Sequence, residues 1–340
     1  MTRLAAIFGC SGPRLTPDEA AFFRDARPWG FILFRRNVES PHQVRALTAA
    51  LRETVGDAAA PMLVDQEGGR VQRLAPPHWP RYPPARAYGE AARDPAERRA
   101  LVRLGARLIA CDLAGVGINV DCAPVLDVPA PGAHDIIGAR AYADTPQDVA
   151  TLGRAVAEGL IAGGVLPVIK HLPGHGRALA DSHEHLPVVE ADAASLSAHD
   201  FVPFRRNADL PLAMTAHVVY AAFDPEHPAT TSAIVIRDII RGEIGFDGLL
   251  MTDDLSMKAL AGSFEDRARA ALFAGCDVVL HCNGSMEEMR GVAAGATALA
   301  GKSQLRADAA LGRLAAIREP LDVDAARARF AAAFEGRWAA

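Results

Sequence analysis

VLPVIKHLPGHGRALADSHEHLP, residues 165–187, sets an apolar run directly against the most ionisable stretch of the chain. Val165–Ile169 reads as a buried strand, and Pro173-Gly174 stops regular structure just after Lys170 and His171. Four of the chain's eleven histidines follow within this segment. Ionisable groups thus gather where a buried strand opens into a loop, a common place for chemistry on a rigid scaffold. Asp181-Ser182-His183 is the sharpest part. In a turn, a carboxylate two residues from an imidazole can bond one ring nitrogen and leave the other for proton transfer. A polar surface loop would carry the same letters, and on spacing alone the two readings are evenly balanced.

The same pattern recurs along the chain. Short apolar runs occur at Leu4–Phe8, Trp29–Phe34, Met62–Val64, Val116–Val120, Val165–Ile169, Leu212–Met214, Leu249–Met251 and Val278–Leu280. Amphipathic helix patterns fill the intervals, among them Ala96–Leu113 and Thr145–Gly163. Thr145 with Asp148 three residues later resembles a capping box, with Asp for the usual Glu. Eight near-continuous apolar strands alternating with helices predict one α/β domain, a TIM-type (β/α)8 barrel over residues 1–340. The tail, residues 305–340, is expected to form helices packed on the outside. A doubly wound open sheet is the alternative, but no G-x-G-x-x-G follows the first strand.

Polar residues end most of these runs. They are Arg35-Arg36-Asn37, Asp65-Gln66-Glu67, Asp121 with Asp127, Lys170-His171, Thr215 and His217, Thr252-Asp253-Asp254, and His281. In a barrel the C-terminal strand ends share one face, so these groups are expected to converge on one site. Of the paired carboxylates, one is expected to react and its neighbour to orient or cap. Asp65 suits bidentate bonding to vicinal sugar hydroxyls, or equally the backbone turn at Gly68-Gly69. Arg73 and Arg140, taken alone, read as salt-bridge arginines.

Composition narrows the classes. Net charge is −5 with acids and bases interspersed, so no nucleic-acid partner is expected. No stretch reaches the ~18 apolar residues of a membrane helix. The Leu4–Phe8 run is too short for an export signal despite Cys10 after Gly9, and fits a first strand better. Five cysteines without C-x-x-C spacing predict reduced, mostly buried thiols in a cytoplasmic protein. No metal or cofactor is expected: His171 and His175 have the spacing of a helical zinc pair, but Pro173-Gly174 forbids the helix.

Three segments in combination, LVDQEGGRVQRL (Leu63–Leu74), KHLPGHG with DSH (Lys170–His183) and LLMTDDLSM (Leu249–Met257), resemble glycoside hydrolase family 3. More narrowly, they are similar to its single-domain bacterial β-N-acetylglucosaminidases of peptidoglycan recycling, and IIGARAY (Ile136–Tyr142) fits a fourth, weaker motif. The resemblance implies Asp253 as nucleophile, His183 as general acid/base and Asp181 as the group orienting His183. It implies Asp65, Arg73, Arg140, Lys170 and His171 as residues binding a terminal N-acetylglucosamine. It further implies a retaining exo-hydrolase acting in the cytoplasm on muropeptides, with consequences for cell-wall biogenesis, division and shape. Larger relatives add a second domain that donates an acid; the length of this chain argues for an acid from the barrel instead. The loop Arg177–Ala180 is less polar than the resemblance leads one to expect. A small-molecule substrate, no membrane partner, and a monomer or weak homo-oligomer complete the expectation. An N-acetylglucosaminide phosphorylase, a metal-dependent hydrolase and a non-catalytic sugar-binding barrel are the rival readings.

Overall fold

Eight parallel strands close into a barrel: β1 Leu4–Phe8, β2 Pro28–Leu33, β3 Met62–Val64, β4 Val120–Asp121, β5 Leu166–Leu172, β6 Leu212–Thr215, β7 Leu249–Asp254 and β8 Val278–His281. This computed structural model describes residues 2–132, 136–178, 182, 185–315 and 318–335. Each strand pairs with its neighbours in sequence, and β1 joins β8 with Ala6 opposite Val279. The expected fold is therefore the observed one.

Period-two alternation explains why the strands are apolar throughout. One row of side chains, including Ile7, Leu63, Val120, Leu166, Val168, Leu249, Met251 and Leu280, fills the barrel interior. The alternate row, including Phe8, Met62, Val64, Ile169, Leu250 and Val279, packs with the surrounding helices. Both faces are dry, so neither row tolerates polar residues until the strand ends.

Helix starts follow the sequence signals. Thr16, Ser40, Asp94 and Thr145 each cap a helix that has proline in its first turn. Helices Pro95–Ala114 and Pro146–Ala162 match the expected segments to within two residues. The capping box expected at Thr145 is half built. Thr145 Oγ1 accepts from the Asp148 N–H, but donates its own hydrogen to the Asp148 carboxylate at 2.8 Å. Only β4 is much shorter than the apolar run that foretold it. Val116–Ile118 are buried but form the turn out of helix Pro95–Ala114, with Gly117 at φ +82° and the Ile118 N–H on the Leu113 carbonyl.

The tail divides. Helix Gly301–Gly312 sends Ala307 and Ala310 into the interior cluster, with Leu299 and Ala5, and so plugs the N-terminal mouth of the barrel. Helix Val323–Ala333 lies outside, with Phe330 edge-on to Tyr82 and Tyr88. The barrel is thereby closed below and open only at the C-terminal strand ends. All five cysteines are free thiols, four of them buried. Among the described residues no helix is long and apolar enough to cross a membrane.

Candidate active site

At the open end a cavity of about 190 Å³ is lined by Asp65, Arg73, Arg140, Lys170, His171 and Asp253, together with Arg70, His175, Ser182 and Asp254. Six of the eight residues singled out from the sequence therefore share one pocket. Asp181 and His183 lie outside the described residues; Ser182, between them in sequence, is buried and lines the same pocket.

Strand parity accounts for the arrangement. Asp65 continues the interior row of Leu63, Lys170 that of Leu166 and Val168, and Asp253 that of Leu249 and Met251. β5 and β7 each undergo a register shift at the pocket, between Ile169 and Leu172 and between Met251 and Asp254. At those two places consecutive residues, Lys170-His171 and Asp253-Asp254, both reach the cavity.

One wall, from β3 to β5, is a charge cluster. Lys170 Nζ lies 2.9 Å from Asp65 Oδ1 and 2.7 Å from Glu67 Oε1. Arg73 donates to Asp65 Oδ2 at 3.0 Å. Arg140 grips Glu67 with a fork, Nε to Oε2 at 2.8 Å and Nη2 to Oε1 at 2.7 Å. Burial alone would raise the Asp65 carboxyl, but Lys170 and Arg73 together hold it well below the usual carboxylate range. Burial also opposes ionisation of Glu67, and Arg140 and Lys170 outweigh it, bringing that carboxyl down to about 2. Asp65 thus bonds Lys170 and Arg73, not the Gly68-Gly69 turn.

His171 is oriented from behind. Its Nδ1 lies 2.6 Å from Asp127 Oδ2, and Asp127 Oδ1 accepts the backbone N–H groups of His171 and His175. The His175 ring meets that of His171 edge-on at 5.7 Å, and its Nε2 is 3.1 Å from Ser182 Oγ. Burial, and then the charge His171 would carry, push His175 down to about 4, so it is neutral at physiological pH. Among the described residues no group of three or more His, Cys, Asp or Glu side chains is placed to hold a metal ion.

The opposite wall is the end of β7, diametrically across the barrel from β3. The two aspartates divide their tasks. Asp254 accepts from Ser256 N at 3.0 Å, Ser256 Oγ at 2.5 Å and Cys282 N at 3.1 Å, so its carboxylate fixes the β7 turn. Asp253 accepts the Asp254 N–H at 2.8 Å and faces the cavity. Buried His217 sits behind them, with Nε2 3.0 Å from the Asp254 carbonyl and Nδ1 2.7 Å from Thr230 Oγ1.

Not every polar strand end converges. His281 turns outward, its Nε2 2.9 Å from Glu288, and Asn37 bonds the Cys10 and Gly12 carbonyls. Asp121 belongs to the outer row and is buried beside the cluster. Its Oδ1 accepts from Gln66 N, its Oδ2 has no partner, and burial pushes its carboxyl up to about 8. Conversely, Glu67, Asp127 and His175 carry more of the site than their place in the sequence suggested. For Glu67 the signal was available, because it is the third residue of the same Asp65-Gln66-Glu67 strand end.

Comparison with known proteins agrees with this geometry. Residues 15–317 match the Glycosyl hydrolase family 3 N terminal domain. A β-hexosaminidase of Alkalilimnicola ehrlichii is 43% identical over 283 residues, 82% of this chain and 80% of that protein. The crystal structure of NagZ from Neisseria gonorrhoeae in complex with N-trifluoroacetyl-D-glucosamine superposes with a TM-score of 0.87 at 31% identity, covering 98% of both chains. The same NagZ has been solved with a zinc ion, with a TM-score of 0.86 at 30% identity and 98% of both chains covered.

Proposed function

The chain belongs to glycosyl hydrolase family 3, and from that premise we propose a retaining exo-β-N-acetylglucosaminidase that trims terminal N-acetylglucosamine from peptidoglycan fragments. The coarser statement stands on the relatives: this is a glycoside hydrolase of the β-N-acetylhexosaminidase kind. The finer reading specifies N-acetylglucosaminyl-anhydro-N-acetylmuramyl peptides, a cytoplasmic setting and a covalent glycosyl-enzyme.

One observation carries the mechanism. A single carboxylate of the β7 pair, Asp253, faces across a pocket closed below to the Asp65–Lys170–Glu67–Arg140 wall on the other side. Such a pocket holds the end of a sugar chain. Asp65, Arg73, Arg140, Lys170 and His171 bond the ring's hydroxyl and acetamido groups. The anomeric carbon then lies toward Asp253, which attacks it. His183, as imidazolium, protonates the departing oxygen, and Asp181 favours that charged form. In the second half His183 takes a proton from water, which releases the sugar with retained configuration. Most retaining glycosidases use two carboxylates; a histidine with a pKa near neutrality serves both as acid and as base.

The decisive assay compares release from an aryl N-acetylglucosaminide, glucoside and N-acetylgalactosaminide. Clear preference for the first is expected, and equal release from the glucoside would overturn the sugar assignment. Adding phosphate should leave the product free N-acetylglucosamine; a sugar phosphate would mean phosphorolysis. A chelator should not abolish turnover, and loss restored by zinc would favour a metal-dependent hydrolase.

A further inference from the structure

Glu67 does not line the cavity, yet two of the cavity's cations depend on it. Its side chain is 7% exposed, and that of Lys170 is 3% exposed. An ammonium has three N–H donors. Asp65 and Glu67 take two of those of Lys170, at 2.9 and 2.7 Å, so the direction of the third is fixed by both carboxylates together. Arg140 is held likewise. Its fork on Glu67 fixes the guanidinium plane, with Nη1 turned toward the Ile136 carbonyl at 3.4 Å. Each of the three residues comes from a different segment: the loop after β3, the loop after β4, and β5.

We propose that Glu67 is a positioning residue for sugar recognition, aiming the remaining donors of Lys170 and Arg140 at substrate hydroxyls while Asp65 keeps lone pairs to accept from them. This rests on the reading that the terminal sugar lies between this cluster and Asp253. A glutamine cannot replace the carboxylate, because one amide oxygen cannot satisfy both the fork and the ammonium, and its NH2 would face a cation. With Glu67→Gln three cations, Arg73, Arg140 and Lys170, would surround Asp65 alone, and their mutual repulsion would turn Lys170 and Arg140 away from the sugar.

A merely structural Glu67 would staple the loop without affecting which hydroxyls are recognised, and a deoxy-sugar series separates the two. An aryl β-N-acetylglucosaminide and its 3-, 4- and 6-deoxy analogues are turned over by parent and Glu67→Gln enzymes, with thermal midpoints confirming folding. In the parent, losing a hydroxyl bonded to a charged group should cost about 10- to 100-fold in kcat/KM. In Glu67→Gln at least one of these penalties should fall below roughly 3-fold, with KM rising more than kcat falls. Unchanged penalties in a folded variant overturn the proposal. If the glutamine variant does not fold, Glu67→Asp keeps the charge, shortens the reach, and is judged by the same criterion. A parent inactive on every N-acetylglucosaminide would instead sink the functional reading, so the two failures are distinct.

Discussion

The two walls of the pocket are built on opposite electrostatic plans. Toward β3 and β5, Asp65 and Glu67 are locked to Lys170, Arg73 and Arg140 by ion pairs at 2.7–3.0 Å. Toward β7, Asp254 is held by backbone N–H groups and a serine hydroxyl, and buried His217 supports the carbonyl behind it. Burial drives His217 toward its neutral form, against the pull of Asp253 and Asp254. Permanent, mutually compensated charges suit the recognition of hydroxyls, since they present fixed donors and acceptors without titrating. Neutral support suits a carboxylate that must give up its charge to a bond with carbon and then recover it.

The sharpest way to break this contrast is at β7. Asp253→Ala should lower kcat by roughly 10⁴-fold or more, with the thermal midpoint near that of the parent. Asp254→Ala should reverse the emphasis: turnover falls less, but the β7 turn loses its bonds and stability drops by about 1–3 kcal/mol. Near-parental activity in the first variant, or the opposite ranking of the two, would show that the walls have been assigned the wrong tasks.

His183→Ala tests the proton that joins the two halves of the reaction. A positioned acid contributes about 10²–10⁴-fold. That loss should fall on substrates with poor leaving groups and spare activated aryl glycosides, whose phenolates depart unprotonated. Asp181→Ala should show the same selectivity more mildly. Equal losses along a leaving-group series would remove the acid/base role.

At the charged wall, Lys170→Met leaves two buried carboxylates short of a counter-charge, at a cost of about 3–5 kcal/mol near neutrality. In the parent, Asp65 and Glu67 have folded pKa values below the unfolded ones, that of Glu67 at about 2. Their stabilisation is therefore complete above about pH 5 and lost as pH falls through 4 toward 2. In the variant the deficit should shrink on acidification, because protonation relieves the uncompensated charge. Denaturation curves from pH 3 to 8 read the difference, and a pH-independent deficit would contradict it.

The smallest effect is expected at Asp121, next to the cluster but outside it. Its folded pKa, pushed up to about 8, lies above the unfolded value, so its ionisation opposes folding as pH rises from 4 to 8. Asp121→Asn keeps the acceptor for Gln66 N. It should be more stable than the parent above pH 7, by about 1–3 kcal/mol, with the gap closing near pH 4. A gap that does not vary with pH would place the charge of Asp121 elsewhere in the balance.

Much of this was readable in the chain. The eight apolar runs gave the barrel, and seven of them fall on strands nearly as drawn, because a strand buried on both faces has no polar letter to blur its limits. The exception, Val116–Val120, is instructive: burial makes Val116 and Ile118 apolar even though they lie in a turn. The pocket wall was legible through strand ends, and parity could have gone further. Counting by two from Leu63, Val168 and Met251 selects Asp65, Lys170 and Asp253; counting by two from Val120 and Leu280 excludes Asp121 and His281. His171 could not be selected in this way, because it reaches the cavity through an irregularity in β5.

By itself, then, the sequence determined the barrel, its polar rim and the identity of the reactive carboxylate's strand, because these follow from period-two burial and from local turn chemistry. Only the tertiary structure decided the partnerships. Glu67 meets Arg140 across 73 positions of chain, Lys170 meets Asp65 across 105, and Asp254 meets the Cys282 N–H across 28. Those contacts fix which carboxylate is compensated and which turn is tied. They depend on distances that closure of the barrel sets, and nothing local to either partner encodes them.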